Sequence, residues 1–213
     1  MNFTHTSELD ERQFLYAKND LSEPCHTISV PIVERPAWAD NIAHLDDGTP
    51  HNPADPSLRI SRSHAGGLTL HARQYEGLLG VDMVALNDLR TEDIEALVSL
   101  TRPQVSPEEI GIRSLHNLGV WWAATEAAAK AWGGGLPLLI ERFQIALSGA
   151  SEALILRKDD ALPPLRFYPL VVKQDLIGIL ATDGPCRDVS LIAYEQYPFY
   201  VSSLTRSFSG REE

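Results

Sequence analysis

Apolar and polar positions along the chain fall into three blocks of different texture. From residue 1 to 58 the pattern is weak. Pro, Asp, Asn and His interrupt it, and one short run, HTISVPIV (26–33), reads as a strand. DDGTPHNPADPS (46–57) is punctuated by Gly48, Pro50, Pro53 and Pro56, which predicts a loop. The second block begins with LRISRSHAGGLTLHARQ (58–74), two strand-like pieces around a Ser-His-Ala-Gly-Gly turn. GLLGVDMVALND (77–88) reads as a short buried strand. Helical spacing follows: TEDIEALVSLT (91–101) places apolar residues at 94, 97, 98 and 100.

SPEE (106–109) is a helix-start signature, with Ser106 as cap, Pro107 at the first position and Glu109 closing a capping box. A long alanine-rich helix is predicted over roughly 114–132, ended by Gly133, Gly134 and Gly135. The last third reads as strands: FQIALSG, EALILRK, RFYPLVVKQ, DLIGILATD and DVSLIAYEQY. Strands, then helices, then strands predict an α+β fold with antiparallel sheets rather than alternating βαβ units.

Composition narrows the function classes. The chain has 213 residues, 44% hydrophobic and 22% charged, enough for one domain or two small ones. No apolar run approaches the ~18 residues of a bilayer span, and the start lacks a signal-peptide pattern. The expectation is a soluble, cytoplasmic monomer with no membrane partner. Cys25 and Cys186 have no zinc-ribbon spacing. The formal net charge of −11 argues against nucleic acid. It also argues against an acidic protein partner, unless a local basic patch exists.

The chemistry-bearing candidates are few. Within WWAATEAAAKAWGGG (121–135), Glu126 and Lys130 stand four apart, so they share a helix face. An exposed ion pair is the plain reading of such a pair. Asp82 sits among apolar neighbours in GVDMV, where a carboxylate needs a partner. Ser63 and His64 precede small residues that allow a ligand close to the backbone. His44 and His51 with Asp46 and Asp47 fit no standard metal spacing and read as a solvated loop. No G-x-S-x-G elbow supports a hydrolase.

The order of these pieces resembles the 4′-phosphopantetheinyl transferase superfamily in its larger single-chain form. The matching segments are GTP (48–50), SHAGG (63–67), GVDMV (80–84) and WAATEAAAKAWGGGL (122–136), covering roughly residues 46–195. The resemblance implies two similar α+β lobes related by a pseudo-two-fold axis, here a shortened first lobe (1–76) and a second lobe (77–213). It implies coenzyme A in the cleft between them, with Mg²⁺ held by Asp82 and Glu126. By the same match Glu126 helps deprotonate the serine of an acyl or peptidyl carrier protein. Lys130 lies near the pyrophosphate, and His64, with Ser63 beside it, contacts the 3′-phosphate.

The chain also departs from the family pattern. Thr125 replaces a lysine before the glutamate, Val84 replaces a third acid, Thr49 replaces a loop cation, and Ala65 follows the Ser-His pair. No helix rich in Arg and Lys is evident before Gly80. With those cations thinned, the expectation is weak, salt-sensitive coenzyme A binding. Thr125→Lys is expected to tighten it if activity has merely decayed. A fold that has lost coenzyme A and been repurposed is the competing expectation.

Overall fold

A computed structural model describes residues 27–45, 49–101, 106–148 and 154–196. Cys25, Asp46, Asp47, Gly48 and the amino-terminal start lie outside the described residues.

Short strands β1 (Ile28–Ser29), β2 (Ala43–His44) and β3 (Pro50–His51) precede the regular hairpin β4 (Arg59–Ala65) and β5 (Leu68–Gln74). Its turn is Gly66-Gly67, with φ of 54° and 76°. Two successive positive-φ residues make the turn whose twist matches an antiparallel hairpin, and glycine adopts them without strain. Strand β6 (Leu79–Ala85) follows, then helices α1 (Thr91–Thr101), α2 (Leu115–Trp132) and α3 (Gly135–Leu139). The chain closes with strands β7 (Phe143–Leu147), β8 (Leu154–Lys158), β9 (Arg166–Val171), β10 (Leu176–Thr182) and β11 (Ser190–Glu195).

The strands form three sheets, ordered β1-β9-β10-β6, β11-β5-β4-β3-β2 and β7-β8. Every ladder is antiparallel except the two-residue pairing of β1 with β9. The fold is therefore α+β with antiparallel sheets, as the order of patterns predicts. Residues 76 and 77 fall in the turn between β5 and β6, while β1 joins the sheet of β6 and β11 joins the sheet of β5. The segment expected to be all loop contributes β3 at Pro50–His51, paired with β2.

Alternation along β6 and β10 gives the first sheet two apolar faces. Val84, Ile177, Ile179 and Ala181 meet α2 in one core cluster. Val81, Met83, Leu176 and Leu180 meet Leu68, Leu70 and Ala72 of the second sheet in another. The first sheet is thus the middle layer, with α2 on one side and the second sheet on the other.

The alanines of α2 explain how closely the helix lies. Ala123, Ala124, Ala127 and Ala128 are fully buried. At Gly80 of β6 an added Cβ would come 1.9 Å from the Ala127 carbonyl oxygen. Trp121, also buried, donates its indole N–H to the Ile145 carbonyl at 2.9 Å, so the helix is clamped by the β7-β8 hairpin as well. Ser114 caps the helix by accepting from the Asn117 N–H, and Gly133 ends it at φ 75°. The Ser106–Glu109 capping box forms, but it opens only the single turn Glu108–Ile110 ahead of α2. Among the described residues no helix is long and apolar enough to cross a membrane.

Candidate functional site

The site lies where β4, β6 and α2 meet. Asp82 shares a β6 face with Gly80 and Val84, the face turned toward α2. On the helix, Trp122, Glu126 and Lys130 recur every four residues and are each half-buried, while their neighbours at 123–125 and 127–129 are buried. The two charges of α2 therefore occupy the one stripe that is not sealed into the core.

Strand β4 reaches β6 through its serines. Ser61 Oγ accepts the Val81 N–H at 2.9 Å, and Ser63 Oγ accepts the Met83 N–H at 3.0 Å. Ser63 Oγ in turn donates to Asp82 Oδ1 at 2.8 Å. Two hydroxyls two residues apart thus cap two edge N–H groups of β6, which would otherwise be buried unpaired. Lys130 closes the junction. Its Nζ donates to Asp82 Oδ1 at 2.6 Å, to the Val81 carbonyl at 3.3 Å and to the Arg62 carbonyl at 3.4 Å. All three donors of the ammonium are engaged, and they tie the helix to one strand in each of the two larger sheets.

Beside this junction runs a cleft of about 330 Å³. Ser63, His64, Asp82, Asp88 and Glu126 supply its polar groups, and Val84, Leu89, Leu97 and Trp122 an apolar wall. Four residues singled out in the sequence (Ser63, His64, Asp82 and Glu126) are thus gathered on one cleft. Lys130 stands behind Asp82. Burial, and then the charge of Asp82, raise the pKa of Glu126 above the ordinary carboxylate value, against a smaller opposing pull from Lys130.

His64 reaches the surface, and its Nδ1 lies 2.9 Å from Thr69 Oγ1. Desolvation, followed by the neighbouring basic groups Arg62, Lys130, Arg35 and His44, pulls its pKa below the ordinary histidine value. Arg62, Lys130 and Arg35 form a local basic cluster on an acidic protein, with the His44 imidazole beside it. Arg62 Nη2 and His44 Nε2 are 2.7 Å apart. The sequence carried half of this signal: in SRSH, Arg62 and His64 are two apart on a strand and share a face. Arg35 and His44 come from a weakly patterned stretch, and nothing in their spacing points to His64.

Thr125 departs from what the resemblance implies. It is 4% exposed, and its hydroxyl donates to the Trp121 carbonyl at 2.8 Å. Its side chain faces the core, so Thr125→Lys would bury an ammonium group rather than add a phosphate contact. Among the described residues, no group of three or more His, Cys, Asp or Glu side chains is gathered as a metal site. Two carboxylates on one cleft still fit Mg²⁺, which takes one or two protein carboxylates and completes its shell with water and substrate phosphates. Burial is the larger cause of the raised Glu126 pKa and the charge of Asp82 the second, and that second contribution is what such an ion would relieve.

Compared with known proteins, the chain matches no family model and no curated protein.

Proposed function

We propose that this chain is a divergent 4′-phosphopantetheinyl transferase that moves the phosphopantetheine arm of coenzyme A to a serine of an acyl or peptidyl carrier protein in the cytoplasm. The observation that carries the reading is the meeting of Asp82, Glu126 and Lys130 with the Ser63-His64 pair at one junction between two sheets. In this reading the two sheets belong to two lobes related by a pseudo-two-fold axis, the first of them shortened.

Coenzyme A supplies the arm, and Mg²⁺ neutralises its pyrophosphate. Asp82 and Glu126 would hold the metal ion. His64, with Arg62 and Arg35 around it, would face the 3′-phosphate. Glu126, its pKa raised by burial, is suited to accept the proton of an entering serine hydroxyl. Ser63 and Lys130 fix the Asp82 carboxylate from two sides.

The test is incubation with coenzyme A, Mg²⁺ and a panel of apo carrier proteins, read by mass spectrometry. Transfer of the arm to a carrier serine, abolished by Asp82→Asn and by Glu126→Gln, is the expected result. No transfer, together with no calorimetric binding of coenzyme A, overturns the reading.

One observation favours a second reading. Every donor of Lys130 is spent within the protein, and Thr125 is turned into the core, so neither offers a cation to a phosphate. In that reading the fold is retained, coenzyme A binding is lost, and the apolar-walled cleft serves another reaction or non-catalytic carrier contact in polyketide or peptide biosynthesis. Carrier binding without arm transfer is its signature.

A further inference from the structure

The outer face of the β11-β5-β4-β3-β2 sheet carries a buried histidine that the proposed chemistry does not use. His71 of β5 stands opposite Arg62 of β4 and Ile192 of β11, so the three share one face. It is 1% exposed, and neither ring nitrogen has a hydrogen-bond partner. Trp38 covers it, with ring centroids 4.5 Å apart. Buried polar atoms are rarely left unpaired, so this arrangement needs a reason.

Trp38 belongs to a segment that crosses this face from Val33 to Leu45. Val33 N–H donates to the Ala193 carbonyl at one end, and β2 pairs with β3 at the other. Between them, among the described backbone bonds, the segment makes its own turn bond from Ala39 N–H to the Pro36 carbonyl. Side chains hold its middle. Arg73 lies over the Trp38 ring at 5.0 Å, Arg35 lies over the Tyr194 ring at 5.6 Å and also pairs with Asp40, and Ala39 is buried. The same segment delivers Arg35 and His44, two of the four basic groups around His64.

We propose that residues 33–45 form an acid-opened strap: neutral His71 lets Trp38 seat on the sheet, and protonation of His71 unseats Trp38 and lifts Arg35 and His44 away from His64. A neutral imidazole tolerates the apolar slot under Trp38, whereas an imidazolium there has no acceptor. The charged groups that face it, Arg62 from β4 and Arg73 from its own strand, are both positive, and β11 presents apolar Ile192. Burial, then Arg62 and Arg73, pull the His71 pKa from 6.5 to about 3. With the strap open, the ring meets water and titrates near about 6.5. The sign follows: the closed form binds fewer protons, so it loses ground as pH falls below about 6.5. The loss grows tenfold in the open-to-closed ratio per pH unit until about pH 3. Going from about pH 8 to about pH 5 therefore raises that ratio about thirtyfold. The consequence for phosphate binding rests on the transferase reading; the strap itself does not.

Hydrogen exchange of the ligand-free full chain tests it. Opening of peptides spanning 33–45, corrected for chemical exchange, is expected to rise about thirtyfold from about pH 8 to about pH 5, while β6 stays unchanged. His71→Phe keeps an aromatic partner for Trp38 without a titrating group, and is expected to abolish the dependence. Flat exchange in the wild type, or a dependence that survives His71→Phe, overturns the proposal. Histidine carbon NMR gives a second measure that does not need that variant. Trp38→Ala should move the His71 titration up toward about 6.5, and a His71 that stays neutral near pH 5 in Trp38→Ala overturns the strap. Coenzyme A that binds at no pH overturns the transferase reading and leaves the strap standing.

Discussion

Replacing Lys130 by methionine removes a group that ties α2 to β6 and to β4 at once. The side chain of Asp82 is 9% exposed and that of Lys130 is 32% exposed. Breaking a fully buried ion pair by removing one partner costs about 3–5 kcal/mol, because the other charge is left uncompensated. A third of Lys130 already reaches solvent, so water takes over part of its work and the expected loss is about 2–4 kcal/mol. The Val81 and Arg62 carbonyls also lose a donor, which keeps the value from falling lower. For a chain of this length that is a fall in Tm of about 6–12 °C. Urea denaturation of Lys130→Met, Asp82→Asn and the double variant measures it. Asparagine carries no charge, so the double variant should lose less than the sum, with a coupling of about 1–3 kcal/mol. A Lys130→Met protein within about 0.5 kcal/mol of wild type, or strict additivity, would show that the lysine does not hold this junction together.

Glu126→Gln tests the raised pKa. The folded state prefers the protonated carboxyl, so the cost to folding is absent below about pH 4.5, grows as pH rises through the raised pKa and is constant above it. The variant should be more stable than wild type near pH 8 and equal to it near pH 4, and a thermal shift that is the same at both values refutes the assignment. Gly80→Ala tests the close approach of α2. Its Cβ would meet the Ala127 carbonyl oxygen at 1.9 Å and the Ala131 nitrogen at 2.6 Å, both backbone, so a loss of about 3 kcal/mol or more is expected by chemical denaturation. Thr125→Lys should destabilise by about 2–4 kcal/mol without tightening coenzyme A, since a lysine there enters the core; calorimetric tightening would refute the placement of Thr125.

Regular elements were legible because their signals are local. The Gly133 stop and the turn at Gly66-Gly67 each follow from two or three residues, and both form. The start of the long helix was less legible: the strong capping signature at Ser106–Glu109 opens a single turn, and the cap of the helix itself is Ser114. Asp82 was legible as a carboxylate in need of a partner, and Glu126 and Lys130 as a pair on one helix face. What spacing could not reveal is division of labour. Lys130 and Glu126 look equivalent on a helix face, yet one is tied to backbone carbonyls while the other lines the cleft. Thr125 looks available beside Glu126, but one residue turns a helix by ~100°, which carries its side chain into the core. Ser61 carried no sequence signal at all. Its role depends on β6 lying edge-on to β4, a contact between strands that pair with other partners.

Charge shows the same limit from the other side. A net charge of −11 is a sum over the whole surface, but a bound phosphate senses chiefly the charges within a Debye length, ~8–10 Å at moderate salt. Around His64 that neighbourhood holds Arg62, Lys130, Arg35 and His44. The cations that the resemblance places at residues 49 and 125 are missing, and a different set of basic groups, drawn from β4, α2 and the 33–45 segment, gathers beside the same histidine. Arg35 is shared with Asp40, and all donors of Lys130 are engaged. A phosphate arriving there must therefore compete for donors already in use. That competition, more than the global charge, is the physical reason to expect an affinity that is weak and falls steeply with salt.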